Sequence, residues 1–248
     1  MGLKRSAALL YIRIADRVRP PRHAVAIAKL LELLDIECLV DVGANRGQFA
    51  TMMRRAGFRG RILSLEPVSD AFAGLQHASQ GDPLWTVERV GVGAEPGRQV
   101  IHVSGNSVSS SFLPMGSRHL ELAPESSYTR DEEVTVTTIA ALVASHGIDP
   151  ATAMLKADVQ GFEWAVLDGA GAALEDFAVL LLELSLMELY DGQPLLPEFI
   201  ARLTSTGHTL WNFFPAWIDK VEGRLWWADG LFVRSDLAAR FGKSHRRV

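Results

Sequence analysis

The segment that most narrows the choice of fold runs from Cys38 to Ala50, CLVDVGANRGQFA. A short apolar strand pattern carries one acid, Asp41, into a turn that contains Gly43 and Gly47, and helical spacing resumes at once. A strand that ends in a glycine turn and continues as a helix is the opening unit of a parallel α/β sheet, because parallel strands can be joined only by a crossover. In QFATMMRRAGF, Phe49, Met52, Met53 and Ala56 share a helical face, and Gly57 stands where a left-handed cap ends the helix. The unit then repeats. RILSLEP reads as a second strand stopped by Pro67, SDAFAGLQHAS as a helix capped by Ser69 or Asp70, and WTVERVGVG as a third strand.

Alternation lapses beyond that point. VIHVSG reads as an extra strand, and residues 105–133 form a long Ser-rich stretch interrupted by Pro114 and Pro124. A loop of this length inside a domain is expected to be a lid, with Phe112, Leu113, Met115, Leu120, Leu122 and Tyr128 as its docking surface. Strand VTVTTI, a helix to His146, strand AMLKADV, helix FEWAVLDGA, buried strand AVLLLELSL and helix PEFIARLTSTG restore the pattern. TLWNFFPAWI and RLWWADGLFVR, with a turn near Glu222 and Gly223, close the chain as an antiparallel hairpin. The expected fold is α/β, a doubly wound, mostly parallel seven-stranded sheet with an antiparallel C-terminal hairpin. Residues 1–35 are read as a helical extension and 36–248 as one domain. Ligands in such sheets bind beyond the carboxyl ends of the strands.

Charge restricts the partners. The net charge of −4 over 248 residues divides into +5 for residues 1–24, +4 for residues 234–248 and −13 for the body between them. An acidic body argues against a nucleic-acid substrate, which clustered Lys and Arg would bind. The basic N-terminal segment, read as a helix, is suited to an anionic membrane surface. SAALLYI spans only seven residues before Arg13, far short of the ~18 needed to cross a bilayer. The single cysteine, Cys38, sits in a strand pattern as a small core residue and fits a reducing, cytoplasmic setting.

Two groups of residues carry chemistry. Gly43, Asn45 and Gly47 occupy the positions of a G-x-G-x-x-G turn, with Asn as the next best residue for a positive φ. A dinucleotide would place its pyrophosphate on such a turn, and Asp41 just ahead of it opposes that charge. S-adenosylmethionine suits both features, with Asp41 drawing the ammonium and the turn N–H groups receiving the carboxylate. Glu66, ending the second strand, is placed to accept hydrogen bonds from ribose hydroxyls, a role shared with nicotinamide sites. The second group is Lys156, Asp158, Gly161 and Glu163 in MLKADVQGFEWAVLDGA, joined by Glu183 on the next strand. Carboxylates at such a junction are candidates for proton transfer, and Glu183 has a structural alternative as an ion-pair partner of Lys156. His119, in the expected lid, is the histidine singled out as a base. The seven histidines show no metal-ligand spacing, so no metal is expected. Four tryptophans, Trp211, Trp217, Trp226 and Trp227, gather in the final hairpin as core or acceptor-pocket wall. A nicotinamide-dependent oxidoreductase and a catalytically inactive binding module on the same fold are the alternatives.

With VDVGANRGQFA, LSLEP, GNSVSSSFLPM, LKADVQGFEWAVLDGA, LLELSLMELYDGQPLLPEF and ADGLFVR in one order over roughly residues 38–235, the chain resembles the FkbM-type family of S-adenosylmethionine-dependent methyltransferases. The resemblance implies methyl transfer to a hydroxyl of a sugar, polyketide or glycolipid. It assigns Asp41, Gly43, Asn45, Gly47 and Glu66 to the cofactor, with Ala44, Phe49, Pro67 and Gly93 beside them, and puts Asp158 and Glu163 at the reaction cleft. Thr138 is followed by Ile139, Ala140 and Ala141 where the family commonly has Leu-Asp-Asp, so an acid is missing there.

Overall fold

The computed structural model describes residues 20–219 and 222–241. The first helix, α1 (Arg22–Leu33), leads into β1 (Cys38–Val42), α2 (Gln48–Ala56), β2 (Arg61–Leu65), α3 (Ser69–Ser79) and β3 (Trp85–Glu88). Three strands then depart from the main pattern: β4 (Gly91–Val92), β5 (Gly97–Ser104) and β6 (Tyr128–Thr137), with the short helix α4 (Ser117–Leu122) between the last two. The chain continues through α5 (Ile139–His146), β7 (Ala153–Ala157), α6 (Glu163–Ala170), α7 (Ala173–Asp176), β8 (Val179–Ser185) and α8 (Leu196–Ser205). It ends in β9 (His208–Ile218), β10 (Leu225–Arg234) and α9 (Ser235–Phe241).

Seven strands form one sheet in the order β3-β2-β1-β7-β8-β10-β9. The pairs from β3 to β8 are parallel and β10 runs antiparallel to both its neighbours, which is the doubly wound sheet with a C-terminal hairpin expected from the alternation. Successive side chains of the central strands enter different cores, so these strands are buried on both faces and read as unbroken apolar runs. Val40 and Leu155 pack with Ile139, Val166 and Phe199 on one side. Leu39 and Met154 pack with Ile27, Met53 and Leu237 on the other.

Several boundaries differ from the sequence reading. WTVERVGVG is not one strand, since β3 belongs to the main sheet while β4 joins β6 and β5 in a separate three-stranded sheet. The expected lid ends early: β6 starts at Tyr128, and α4 lies within the stretch. Its apolar residues Leu113, Met115 and Leu122 dock against Met187, Leu189, Tyr190 and Trp226. The cap of α3 is supplied from outside its own sequence, because Glu132 on β6 accepts from both the amide and the hydroxyl of Ser69. Finally, α1 is not an extension: Ile27 and Leu31 are buried in the core. The basic helix expected at the N-terminus lies outside the described residues.

Candidate active site

The glycine turn is built as its composition demands. Gly43, Asn45 and Gly47 have φ of 71°, 49° and 81°, all left-handed. Gly43 has a second reason to be glycine, since a Cβ there would collide with the carbonyl oxygen of Asp158. The turn does not present the free N–H groups expected of an anion cradle. The amides of Gly43 and Ala44 both donate to the Leu65 carbonyl at 3.0 Å, the amide of Asn45 to Glu66 Oε2 at 2.8 Å, and that of Arg46 to Gln48 Oε1 at 2.9 Å. A pyrophosphate would find these donors occupied.

Glu66 faces the cavity beside the turn, and its second oxygen, Oε1, accepts from the amide of Val68 at 2.9 Å. Burial pushes its carboxyl up to about 7, while the two amide donors pull it down. Each oxygen keeps a lone pair for a donor from the cavity. Asp41, expected to share the ligand with it, does not reach the cavity. The sheet register sets Asp41 opposite Ser64 on β2 and Lys156 on β7. Its carboxylate is fully buried, 3.1 Å from Lys156 Nζ, and accepts from Ser64 Oγ at 3.3 Å. A carboxylate enclosed in the sheet needs such a partner, so Asp41 is committed to Lys156 rather than to a ligand.

Lys156 is the hub of this region. Its ammonium donates to the carbonyls of Val42 and Gly43 at 3.3 and 3.2 Å, lies 3.6 Å from Asp158, and sits over the Phe49 ring. Burial alone would lower its pKa, but Asp41 and Asp158 hold it above the ordinary lysine range. The ion pair between Lys156 and Glu183 considered from sequence is not formed. Glu183 instead accepts from Gln160 Nε2 at 2.8 Å, and burial together with Asp158 raises its pKa well above that of an ordinary carboxyl.

Gln160 is the functional residue that sequence reasoning missed. At φ 57°, ahead of Gly161, its amide nitrogen also donates to Asp158 Oδ1 at 3.0 Å, and its oxygen accepts from the Tyr190 hydroxyl at 2.8 Å. One side chain thereby links Asp158, Glu183 and Tyr190 at the strand ends. The only sequence signal was a polar residue before glycine in ADVQG. Glu163 turns away: it is buried, does not line the cavity, and its Oε1 accepts from the amide of Val159 at 2.8 Å. It closes the loop over α6 instead of serving the cleft.

A cavity of about 540 Å³ joins these groups to the segment after β5. At one end lie Gly43, Ala44, Asn45, Phe49, Glu66 and Pro67, walled by Leu65, Val90, Val92 and Ile101. Asn45 Nδ2 donates to the Ser107 carbonyl at 2.5 Å, which ties the Ser-rich stretch across the turn. The lining also includes Asp158, which lies beside Gly43, together with Glu183, His119, Tyr190 and the stacked pair Trp217 and Trp227, whose ring centroids are 5.3 Å apart. His119 is not an exposed loop residue: it is buried in α4, edge-on to Tyr190, and its Nδ1 has no hydrogen-bond partner among the described residues. Desolvation lowers its pKa, so the imidazole is neutral near pH 7. Gly47 and Gly93 are outside the lining. Gly47 packs against Trp85 and Leu75, and Gly93 gives the close approach that Gly169 of α6 requires. Among the described residues no group of three or more His, Cys, Asp and Glu side chains is placed to hold a metal ion.

No curated protein sequence matches the chain. Among solved structures, it is similar to a magnesium protoporphyrin IX methyltransferase from Synechocystis PCC 6803 (12% identity, 86% of this chain and 79% of that one, TM-score 0.47). It is also similar to a 1,6-didemethyltoxoflavin-N1-methyltransferase from Burkholderia thailandensis (11% identity, 95% and 91%, TM-score 0.44). A third is an rRNA methylase from Streptococcus thermophilus (10% identity, 87% and 96%, TM-score 0.45). The model of the methyltransferase FkbM domain matches residues 41–210, and the chain belongs to that family.

Proposed function

We propose that the protein is an S-adenosylmethionine-dependent O-methyltransferase that acts on a hydroxyl of a small molecule or sugar, with the glycan of a glycolipid as its acceptor. Its setting is cytoplasmic, at the inner face of a membrane. The observation that carries this reading is one cavity lined both by Glu66 and the glycine turn and by His119, Tyr190, Trp217 and Trp227.

The residues present fit the cofactor. Glu66 offers buried acceptor lone pairs suited to vicinal ribose hydroxyls, Val90, Val92 and Ile101 offer an apolar wall for a purine, and Gly43 keeps the floor open. Saturated N–H groups on the turn leave no cradle for a pyrophosphate, and the cofactor's carboxylate does not use them either. The cofactor supplies a methyl group on a sulfonium, already a good leaving group, so the protein's task is alignment, water exclusion and removal of one proton. The His119 imidazole, neutral and lining the cavity, accepts the proton of the acceptor hydroxyl. Asp158, steadied by Lys156 and Gln160, holds that hydroxyl, and Glu183 keeps Gln160 in place. The Trp217 and Trp227 faces form the wall against which a sugar ring stacks.

Incubation with methyl-labelled cofactor and a fractionated cell-envelope extract tests this. Label in a lipid-linked sugar fraction is expected. Label confined to protein or RNA would overturn the hydroxyl-acceptor reading, and with it the inference from the acidic body that nucleic acid is not the substrate.

A further inference from the structure

Strand β9 is the outer edge of the seven-stranded sheet, and its composition is unlike that of an ordinary edge. Leu210, Trp211, Trp217 and Ile218 are all exposed, between 38% and 51%, and they account for four of the large apolar side chains left in solvent. Large apolar side chains left exposed at both ends of one edge strand suit a surface that meets something else. Trp217, at one end of the strand, also lines the mouth of the cavity.

Both ends of the described chain pack against this strand. Residues 1–19 carry Lys4, Arg5, Arg13, Arg17 and Arg19, and join the described chain close to His23, whose ring lies 5.9 Å from Phe214 of β9. Residues 242–248 carry Lys243, Arg246 and Arg247, and follow Phe241, whose ring lies 5.2 Å from Trp211. An exposed aromatic strip on an acidic body, in a chain whose ends carry +4 over residues 1–19 and +3 over residues 242–248, is complementary to a surface that is negatively charged and apolar just beneath. A second copy fits the face less well. Pairing two such edges would bring like-charged segments together, and the edge is blunted against strand addition. Pro215 has no N–H to donate, and Asn212 Oδ1 already accepts from the Phe213 amide at 2.8 Å.

We propose that β9 is the face by which this protein docks on an anionic lipid bilayer, with Trp211 and Ile218 entering the interface and the basic ends of the chain reading its charge. Docking brings the Trp217 end of the cavity to the membrane plane. That consequence rests on the glycolipid acceptor proposed above, while the docking itself requires neither cofactor nor acceptor.

The test is co-sedimentation of the full chain with vesicles of phosphatidylcholine alone or mixed with phosphatidylglycerol. Trp211→Ser combined with Ile218→Ser serves as the variant, and its circular dichroism and cofactor affinity report the fold. Binding to the anionic vesicles at about 0.15 M salt, weakened at about 0.5 M, and reduced about tenfold or more in the variant is expected. Absence of binding, equal binding to both vesicle types, or equal binding by a folded variant would overturn the proposal. So would a dimer seen by light scattering that the variant disrupts in the absence of vesicle binding, which would assign β9 to a second copy. Methyl transfer that fails while vesicle binding holds removes only the acceptor reading.

Discussion

Replacing Lys156 with methionine would show what the acid at the end of β1 is for. Methionine fills a similar volume but removes the ammonium that lies 3.1 Å from the fully buried Asp41 carboxylate. At that separation and an effective dielectric of about 20, the lost attraction is about 5 kcal/mol. Breaking one side of a buried pair typically costs about 3–5 kcal/mol, because the survivor stays buried and charged. The carbonyls of Val42 and Gly43 lose a donor at the same time. Adding Asp41→Asn to the methionine variant makes the stranded group neutral, and its amide can still bond Ser64 Oγ. Urea unfolding should place Lys156→Met about 3–5 kcal/mol below the parent, and the double variant should regain about 2 kcal/mol or more. A double variant no more stable than the single would mean that Asp41 is not held by Lys156, and the ligand role first read for it would return.

The pH dependence of the ligand-free protein follows from the buried carboxyls. Burial raises Glu66, Glu163 and Asp229 to about 7, and lifts Glu183 well above an ordinary carboxyl. The folded state therefore holds more protons than the unfolded one, and the stability they contribute is lost as pH rises through about 7. His119 and His208, lowered by burial, act in the opposite sense and lose stability as pH falls below their unfolded value. Between pH 6.5 and 8.5 the carboxyls outweigh the histidines, for a net loss of about 2 kcal/mol, measured as a falling melting temperature. A melting temperature that climbs over that range would contradict the assignment. His119→Gln should lower the methyl-transfer rate about 10²-fold or more and remove the limb of the pH profile due to the imidazole, with cofactor affinity unchanged. An unaltered pH profile would assign the proton to another group.

Local signals carried much of the fold into the sequence. The left-handed glycine turn, the limits of α2, the cap at Gly57 and the closing hairpin all depend on residues adjacent in the chain. Interactions across strands were not legible. Asp41 meets Lys156 only because β1 lies beside β7 in this register, and Asp41 therefore read as a ligand-facing acid when it is an internal counter-ion. The saturation of the turn's amides depends on Leu65 and Glu66 reaching over from β2. Strand β4 is two residues long, too short for any periodicity, so the separate small sheet was invisible. Gln160 went unnoticed because its importance comes from a positive φ that glutamine rarely adopts, and from three partners on different segments.

Glu66 is where fold and cofactor meet, at the strand end beside the turn and facing the cavity. Calorimetric titration of S-adenosylmethionine into the parent and into Glu66→Ala at pH 8, where the carboxyl is ionised, should give binding to the parent and about tenfold weaker binding, or worse, to the variant. Equal affinities, or a parent that takes up no cofactor, would show that the cavity serves some other ligand.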